Sequence, residues 1–218
     1  MFEDISVEYI DHMGDDLRVA NAARVSMGKW KDEFNTSDER LVNYLARHGH
    51  WTPFAHSIIT LRETVPIFVA RQRFKHTVGF TYNEVSRRYV DDPPTFYRPE
   101  KWRGRAENVK QGSSDDVIDY IYHWNTSPND AYIDLVSTAI HTYRAMIKVG
   151  IAPEQARMVL PQSMMTSYVV TGSLYAWARA YLLRSDSHAQ KETQQLASLW
   201  NDIIQPLFPH AWKELTNA

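Results

Sequence analysis

Residues 91–116 read DDPPTFYRPEKWRGRAENVKQGSSDD. Three prolines, two glycines and a dense mixture of charges deny this stretch a long helix or a paired strand, since proline lacks a backbone donor and glycine is costly to order. It reads as a mobile or functional loop, not as a linker between domains. The regular elements must therefore come from the segments on either side. Ahead of it, ISVEYI (5–10) alternates as a short strand, and HSIITLRET (56–64) is β-branched enough for another. Between them, Thr36-Ser37-Asp38-Glu39 is a helix start, with Thr36 and Glu39 at capping-box spacing. Leu41, Tyr44, Leu45 and His48 then share a face, and Gly49 is a stop. Pro66 opens a helix through IFVARQRF, and Gly79 breaks it, leaving VGFTYNEVSRRYV as a loop and a short extended piece.

Behind the irregular segment the pattern is helical. Ser127-Pro128 sets a cap before a first-turn proline, and Tyr132, Val136, Ala139, Tyr143 and Ile147 form a stripe ending at Gly150. Pro153 to Leu160 is a short helix stopped by Pro161, and Ser173 to Leu183 is another after Gly172. Ser187 with Gln190 opens a last helix carrying Leu196, Trp200, Ile203 and Leu207. Strands early and helices late predict an α+β fold, a single domain over residues 1–218.

A net charge of −2 gives no global field to attract nucleic acid or a membrane, so any anion site must be local. The chain has no cysteine, which rules out disulfides, thiolate metal sites and a cysteine nucleophile. MFEDISVEYI is acidic and lacks the apolar core of a signal peptide, and no apolar run approaches the roughly 20 residues a membrane helix needs. The expectation is a soluble, cytoplasmic protein (host cytoplasm if phage-encoded) with neither nucleic acid nor membrane as partner.

The cations concentrate in RQRFKHTVGFTYNEVSRRYV (71–90), where Arg71, Arg73, Lys75, Arg87 and Arg88 surround one acid, Glu84. Charge alone favours a solvated helix face. Against that, Phe74, Val78, Phe80, Tyr82 and Val85 are interleaved among them, and a partly buried cation needs an anion. Arginine forks suit phosphate, while nearby Asn83, Ser86 and Gln72 offer hydrogen bonds to a planar base. His48, His50 and His56 in HGHWTPFAH match no metal-binding spacing, so no metal is expected; His50 and Thr52, in a turn beside Pro53, suit ligand contact. In LLRSDSHAQ, Arg184 either satisfies helix carbonyls or stabilises developing negative charge, and Asp186 and His188 lie within reach of each other. Arg157, within the otherwise apolar ARMVLP, is a surface charge or an inward one. Glycine-loop, Walker, GxSxG and HExxH signatures are missing.

Taken in order, AARVSMG, YLARHGHWTPFAH, PIFVARQ, NEVSRRY, ARMVLP and LRSDSHAQ resemble the flavin-dependent thymidylate synthases over nearly the whole chain. The family's diagnostic motif is an Arg-His-Arg triplet, a spacer and Ser-x-Arg. Here Ser86-Arg87-Arg88 fits the second half, whereas the triplet aligns with Lys75-His76-Thr77 and the spacer is one residue longer.

The resemblance implies that family's fold, with a small antiparallel sheet, helices and a helix-rich C-terminal half. It implies a homotetramer with FAD in active sites shared between subunits, and reductive methylation of dUMP to dTMP. Methylenetetrahydrofolate would donate the carbon and NADPH would reduce the flavin. Carried over by position, Gln72, Glu84, Ser86, Arg88, Arg157 and Arg184 resemble the dUMP site, flanked by Arg73, Lys75, Val85 and Arg87. Thr52, Lys75, His76, Thr77 and Glu84 resemble flavin contacts, with His50 and His188 close by. Ser173, Leu174, Tyr175 and Arg179 stand where the family has a second flavin segment of different sequence. Without cysteine, uracil must be activated by polarisation, the role expected of Arg184, while Ser86 binds phosphate or orients the base. The alternatives are a non-enzymatic nucleotide or RNA-binding module, or a family relative acting on another pyrimidine nucleotide.

Overall fold

A computed structural model describes residues 1–89, 92–107 and 112–217. Strands β1 (Ser6–Met13), β2 (Ile58–Pro66), β3 (Phe80–Glu84) and β4 (Met165–Ser173) form a sheet in the order β1-β2-β4-β3. Side-chain bonds join Thr60 to Thr171 and Thr64 to Ser167, both at 3.1 Å, so β2 and β4 run antiparallel. Val85 N–H to Ser167 O (2.9 Å) and Ser173 N–H to Gly79 O (3.1 Å) make β3 and β4 antiparallel as well. The helices among the described residues are α1 (Asp16–Arg24), α2 (Thr36–Arg47), α3 (Ile67–Arg73), α4 (Pro128–Lys148), α5 (Pro153–Ala156), α6 (Leu174–Ser185), α7 (Lys191–Leu207) and α8 (Pro209–Thr216). The architecture is α+β, with five of the helices in the C-terminal half, as the sequence predicts.

By internal packing the chain divides into two compact units. One comprises Ser6–Glu63, Phe74–Asn83 and Tyr168–Ala218. Its core holds Trp177, Trp200 and Trp212, all essentially buried. Trp177 meets Trp200 edge-on at 5.4 Å and donates its indole N–H to Ile59 O at 3.2 Å. Each such ring removes roughly 200 Å² from water, worth on the order of 5 kcal/mol as an upper figure. The buried carboxylate of Glu63 accepts from Tyr168 Oη at 2.5 Å. Asp38, also buried, is bonded by Arg24 and Lys31, which offset its desolvation.

The other unit comprises Met1–Ile5, Thr64–Arg73 and Glu84–Ser167. Its core centres on Phe96, Val136 and Met164, with Phe2, Ile67 and Tyr132 packed around them. Phe96 comes from the proline-rich segment, and its backbone bridges Phe2 on one side and Met164 on the other. The described part of that segment lacks helix and strand, as expected. Its front, however, is fastened into a core and is no free loop, because a buried phenylalanine outweighs the poor propensity around it.

Three further differences have local causes. α2 is capped by Asn35, whose capping box closes with Asp38, one residue ahead of the Thr36–Glu39 spacing. Its buried face is Asp38, Val42 and Leu45, while Tyr44 and His48 stack in the open at 4.0 Å. β4 fills the stretch between the helix stopped at Pro161 and the helix expected from Ser173, where no strand was expected; buried Thr166, Tyr168, Val170 and Gly172 alternate along it, a period of two. The last helix is two: Pro206 and Pro209 end α7 and start α8, and the cap of α7 is Gln190, not Ser187.

The start of α8 is capped from far away in sequence. Buried Asp16, at the head of α1, accepts from the backbone N–H groups of His210 and Ala211, both at 2.9 Å. Burial raises this carboxyl above its ordinary 3.8 although the two N–H bonds oppose the shift. With a raised folded-state value, the stability linked to its protonation is full below 3.8 and is lost as pH rises through the folded value. Asp16→Ala should therefore cost about 1–2 kcal/mol in urea unfolding near neutrality. The gap to wild type should widen toward about pH 4, an ordinary carboxylate's titration range.

Candidate active site

At the end of β3 the chain makes one last ladder bond at Val85 and then turns, with Tyr89 N–H bonded to Ser86 O at 3.0 Å. That turn carries Ser86, Arg87 and Arg88 into a cavity of about 880 Å³, a volume in the range of small-molecule sites. Arg71 from α3 and Arg157, after α5, line the same cavity. Four arginines thus face three carboxylates (Glu3, Glu84 and Asp92), giving a locally positive lining in a chain of negative net charge.

Three of the four arginines are hydrogen-bonded to neighbouring residues. Arg88 Nε donates to Ser86 Oγ at 3.3 Å, Arg87 donates to the carbonyl of Asp92, and Arg157 Nε donates to Glu154 O at 3.2 Å. Glu84 Oε1 accepts from the hydroxyl of buried Thr166 at 2.6 Å, a short charge-assisted bond that orients one oxygen and leaves Oε2 outside it. Fixed guanidinium forks beside a hydroxyl and an oriented carboxylate suit an anionic head group attached to a polar body.

A second group of candidates lies on the other unit. Arg184, in the last turn of α6, donates from Nε to His76 Nε2 at 2.9 Å. Tyr82 Oη bonds the His76 carbonyl at 2.7 Å. Lys75 and Thr77 beside them are exposed. Ser173 caps α6 by accepting from Ala176 N–H, and Leu174 is fully buried, so both have structural duties. Tyr175 has its ring 5.8 Å from that of Trp51 and the Arg179 guanidinium 5.9 Å from it on the other count.

The family described as "Thymidylate synthase complementing protein" matches residues 8–210. The chain belongs to this family. A flavin-dependent thymidylate synthase from Thermotoga neapolitana is 40% identical over 193 residues, 88% of this chain and 81% of that one. Its counterpart from Thermus thermophilus is 34% identical, spanning 94% of this chain and 73% of the other. Among solved structures, the UMP/dUMP methylase PolB from Streptomyces cacaoi, bound with 5-Br dUMP, superposes with a TM-score of 0.82. It is 28% identical and covers 98% of this chain and 95% of that one.

In this family member, the sequence-predicted Glu84, Val85, Ser86, Arg87, Arg88 and Arg157 meet in one cavity. Arg73 is 2% exposed and Gln72 half-buried on the same helix, and neither lines it. His50 is exposed beside the rings of Tyr44 and His48, and Thr52 opens a 3-10 turn running to His56. His188 sits on the surface, its backbone N–H and ring bonded to Asp186, which lowers that carboxyl. Among the described residues no group of acids and histidines could hold a metal ion. Sequence reasoning missed Arg71 as a lining group, and it missed Thr166 and Gln162 altogether. Thr166 was legible only through β4, whose alternation places it opposite β3.

If the cavity is an anion site, inorganic phosphate at about ten times its dissociation constant should stabilise the fold by about 1.4 kcal/mol. Thermal melts should show that shift in the wild type and lose it in Arg88→Ala/Arg157→Ala.

Proposed function

We propose that the protein is an FAD-dependent thymidylate synthase, a methyltransferase that reductively methylates dUMP to dTMP. Methylenetetrahydrofolate donates the carbon and NADPH is the reductant. Both compact units form one flavin-dependent thymidylate synthase-like domain, which assembles as a cytoplasmic homotetramer with shared active sites. The observation that carries the reading is the arginine-lined cavity at the end of β3 in a chain of this family. Among the described residues no helix is long and apolar enough to cross a membrane.

Each group has work matched to its chemistry. Ser86, Arg87, Arg88 and Arg157 bind the nucleotide's phosphate, and Glu84, set by Thr166, accepts a hydrogen bond from its polar body. Gln72 and Arg73 follow Arg71 on α3 and flank the nucleotide, and Val85 fixes the turn through its ladder bond. Arg184 polarises the uracil: a guanidinium cannot give up its proton, so it stabilises the ionised imide and makes the neighbouring ring carbon nucleophilic. No thiol exists to activate the ring covalently.

The flavin fits the second group of residues. Lys75 and Arg179 supply the cations a diphosphate needs, and Trp51 and Tyr175 supply an aromatic pair for a flat ring. Thr52, His76, Thr77 and Ser173 add hydrogen-bonding groups, with His50 and His188 at the periphery. When bound there, reduced flavin is the source of hydride.

One observation keeps a second substrate in view: the similar PolB structure is described as that of a UMP/dUMP methylase. Family membership does not favour an RNA-binding module. The purified protein should be yellow and bleach with NADPH, and it should release tritium from 5-labelled dUMP, with labelled UMP run beside it. A folded protein that stays colourless with FAD sinks the proposal. Arg184→Ala should lose at least about 10²-fold in turnover while keeping its flavin absorbance.

A further inference from the structure

The cavity at the end of β3 measures about 880 Å³, toward the upper end of small-molecule sites, so its volume alone admits a nucleotide with more than one phosphate. Its four arginines would also favour the more highly charged forms. Some group in the lining must oppose them if a monophosphate is to be preferred. Glu3 is an acid in that lining, and the roles assigned above leave it unused.

Glu3 is fastened in place by its neighbours. Phe96 bridges antiparallel to Met164 on one side and parallel to Phe2 on the other, and Met165 N–H donates to Thr95 O at 2.8 Å. Residues 1–3 therefore lie as one more extended segment beyond the start of β4. Glu3 N–H donates to Phe96 O at 3.0 Å, and Phe96 N–H donates to Met1 O at 2.9 Å. Phe2 packs against the core of Phe96, Val136 and Met164, its ring 6.0 Å from that of Tyr132. Successive side chains of an extended segment point to opposite sides, so a core-facing Phe2 turns Glu3 toward the cavity. There Thr95 Oγ1 donates to Glu3 Oε2 at 2.5 Å, a short charge-assisted bond. The partner is a neutral hydroxyl that also lines the cavity, so the bond fixes the carboxylate and leaves its charge in the wall.

We propose that Glu3, held by Thr95, is a specificity-determining residue that restricts the cavity to monophosphates. Four arginines against Glu3, Glu84 and Asp92 leave the lining one positive charge in excess. A phosphate monoester carries about −1.5 to −2 at pH 7, enough to use up that excess. Each further phosphate brings negative charge against a fixed carboxylate that cannot pair with it, and like charges brought together are penalised. Discrimination thus comes from a repulsive element, not from a tighter grip on the favoured ligand. Glu84 differs, because Thr166 directs it to the nucleotide's polar body. The inference rests on the nucleotide reading of this cavity, but inorganic ions measure the role of Glu3 without turnover.

Titration calorimetry of the full chain with inorganic phosphate and with pyrophosphate supplies that measurement. The wild type should hold phosphate at least as tightly as pyrophosphate. Glu3→Gln keeps the size and removes the charge. In it, pyrophosphate should gain roughly tenfold relative to phosphate, and dUDP should gain similarly relative to dUMP. Thr95→Val keeps the volume of the side chain and releases the carboxylate, so it should shift both ratios the same way by a smaller factor. That second variant decides the matter if Glu3→Gln fails to fold. Ratios unchanged in either variant overturn the proposal, as does a wild type that prefers pyrophosphate. If neither ion binds, the anion site and this proposal fail together. If the ions behave as expected while labelled dUMP and UMP release no tritium, the functional reading fails and the role of Glu3 stands.

Discussion

The pairing of β2 with β4 brings together segments about a hundred residues apart and sets the position of everything chemical. β4 is the strand on which both candidate regions depend. Near its start, Thr166 and Ser167 line the arginine cavity, and Thr166 orients Glu84. At its end, Ser173 turns the chain directly into α6, the helix of Arg184. A slip of one residue in this register would exchange the faces of the strand and withdraw Thr166 from Glu84. The hydrophobic alternation of Tyr168 and Val170 against Ile59 and Leu61 makes that slip costly.

The positive cavity shows how a chain of net charge −2 concentrates cations. Arg87 and Arg88 are contiguous in sequence, but Arg71 and Arg157 arrive on separate helical segments. Among the described residues, Arg87, Arg88 and Arg157 each bond a carbonyl or hydroxyl and no carboxylate, so their charge is not cancelled locally. A surface helix face would instead have paired them at intervals of four.

Contiguous features were readable in the sequence and convergent ones were not. Ser86-Arg87-Arg88, the Ser127 cap and the strand after Ser57 are written in neighbouring residues, and the structure has them, whereas the helix expected to run to Gly79 stops at Arg73. β4 was hidden because it lies between two helical segments and its alternation spans only nine residues. The Asn35 cap was obscured by Thr36, an equally good capping residue one position later. Buried Arg73 could not be told from exposed Arg71, since the environment of a helix residue is set by what packs on it. The Arg184–His76 bond joins residues 108 apart and left no trace in spacing.

The Asp16 cap has a consequence for the order of synthesis. The carboxylate sits in α1, and its donors, the backbone N–H groups of His210 and Ala211, lie 194 and 195 residues further along the chain. Until those amides leave the ribosome, Asp16 has to stay hydrated, because burying it without them would strand a charge. The compact unit that holds both groups therefore closes only after residue 211 has been made.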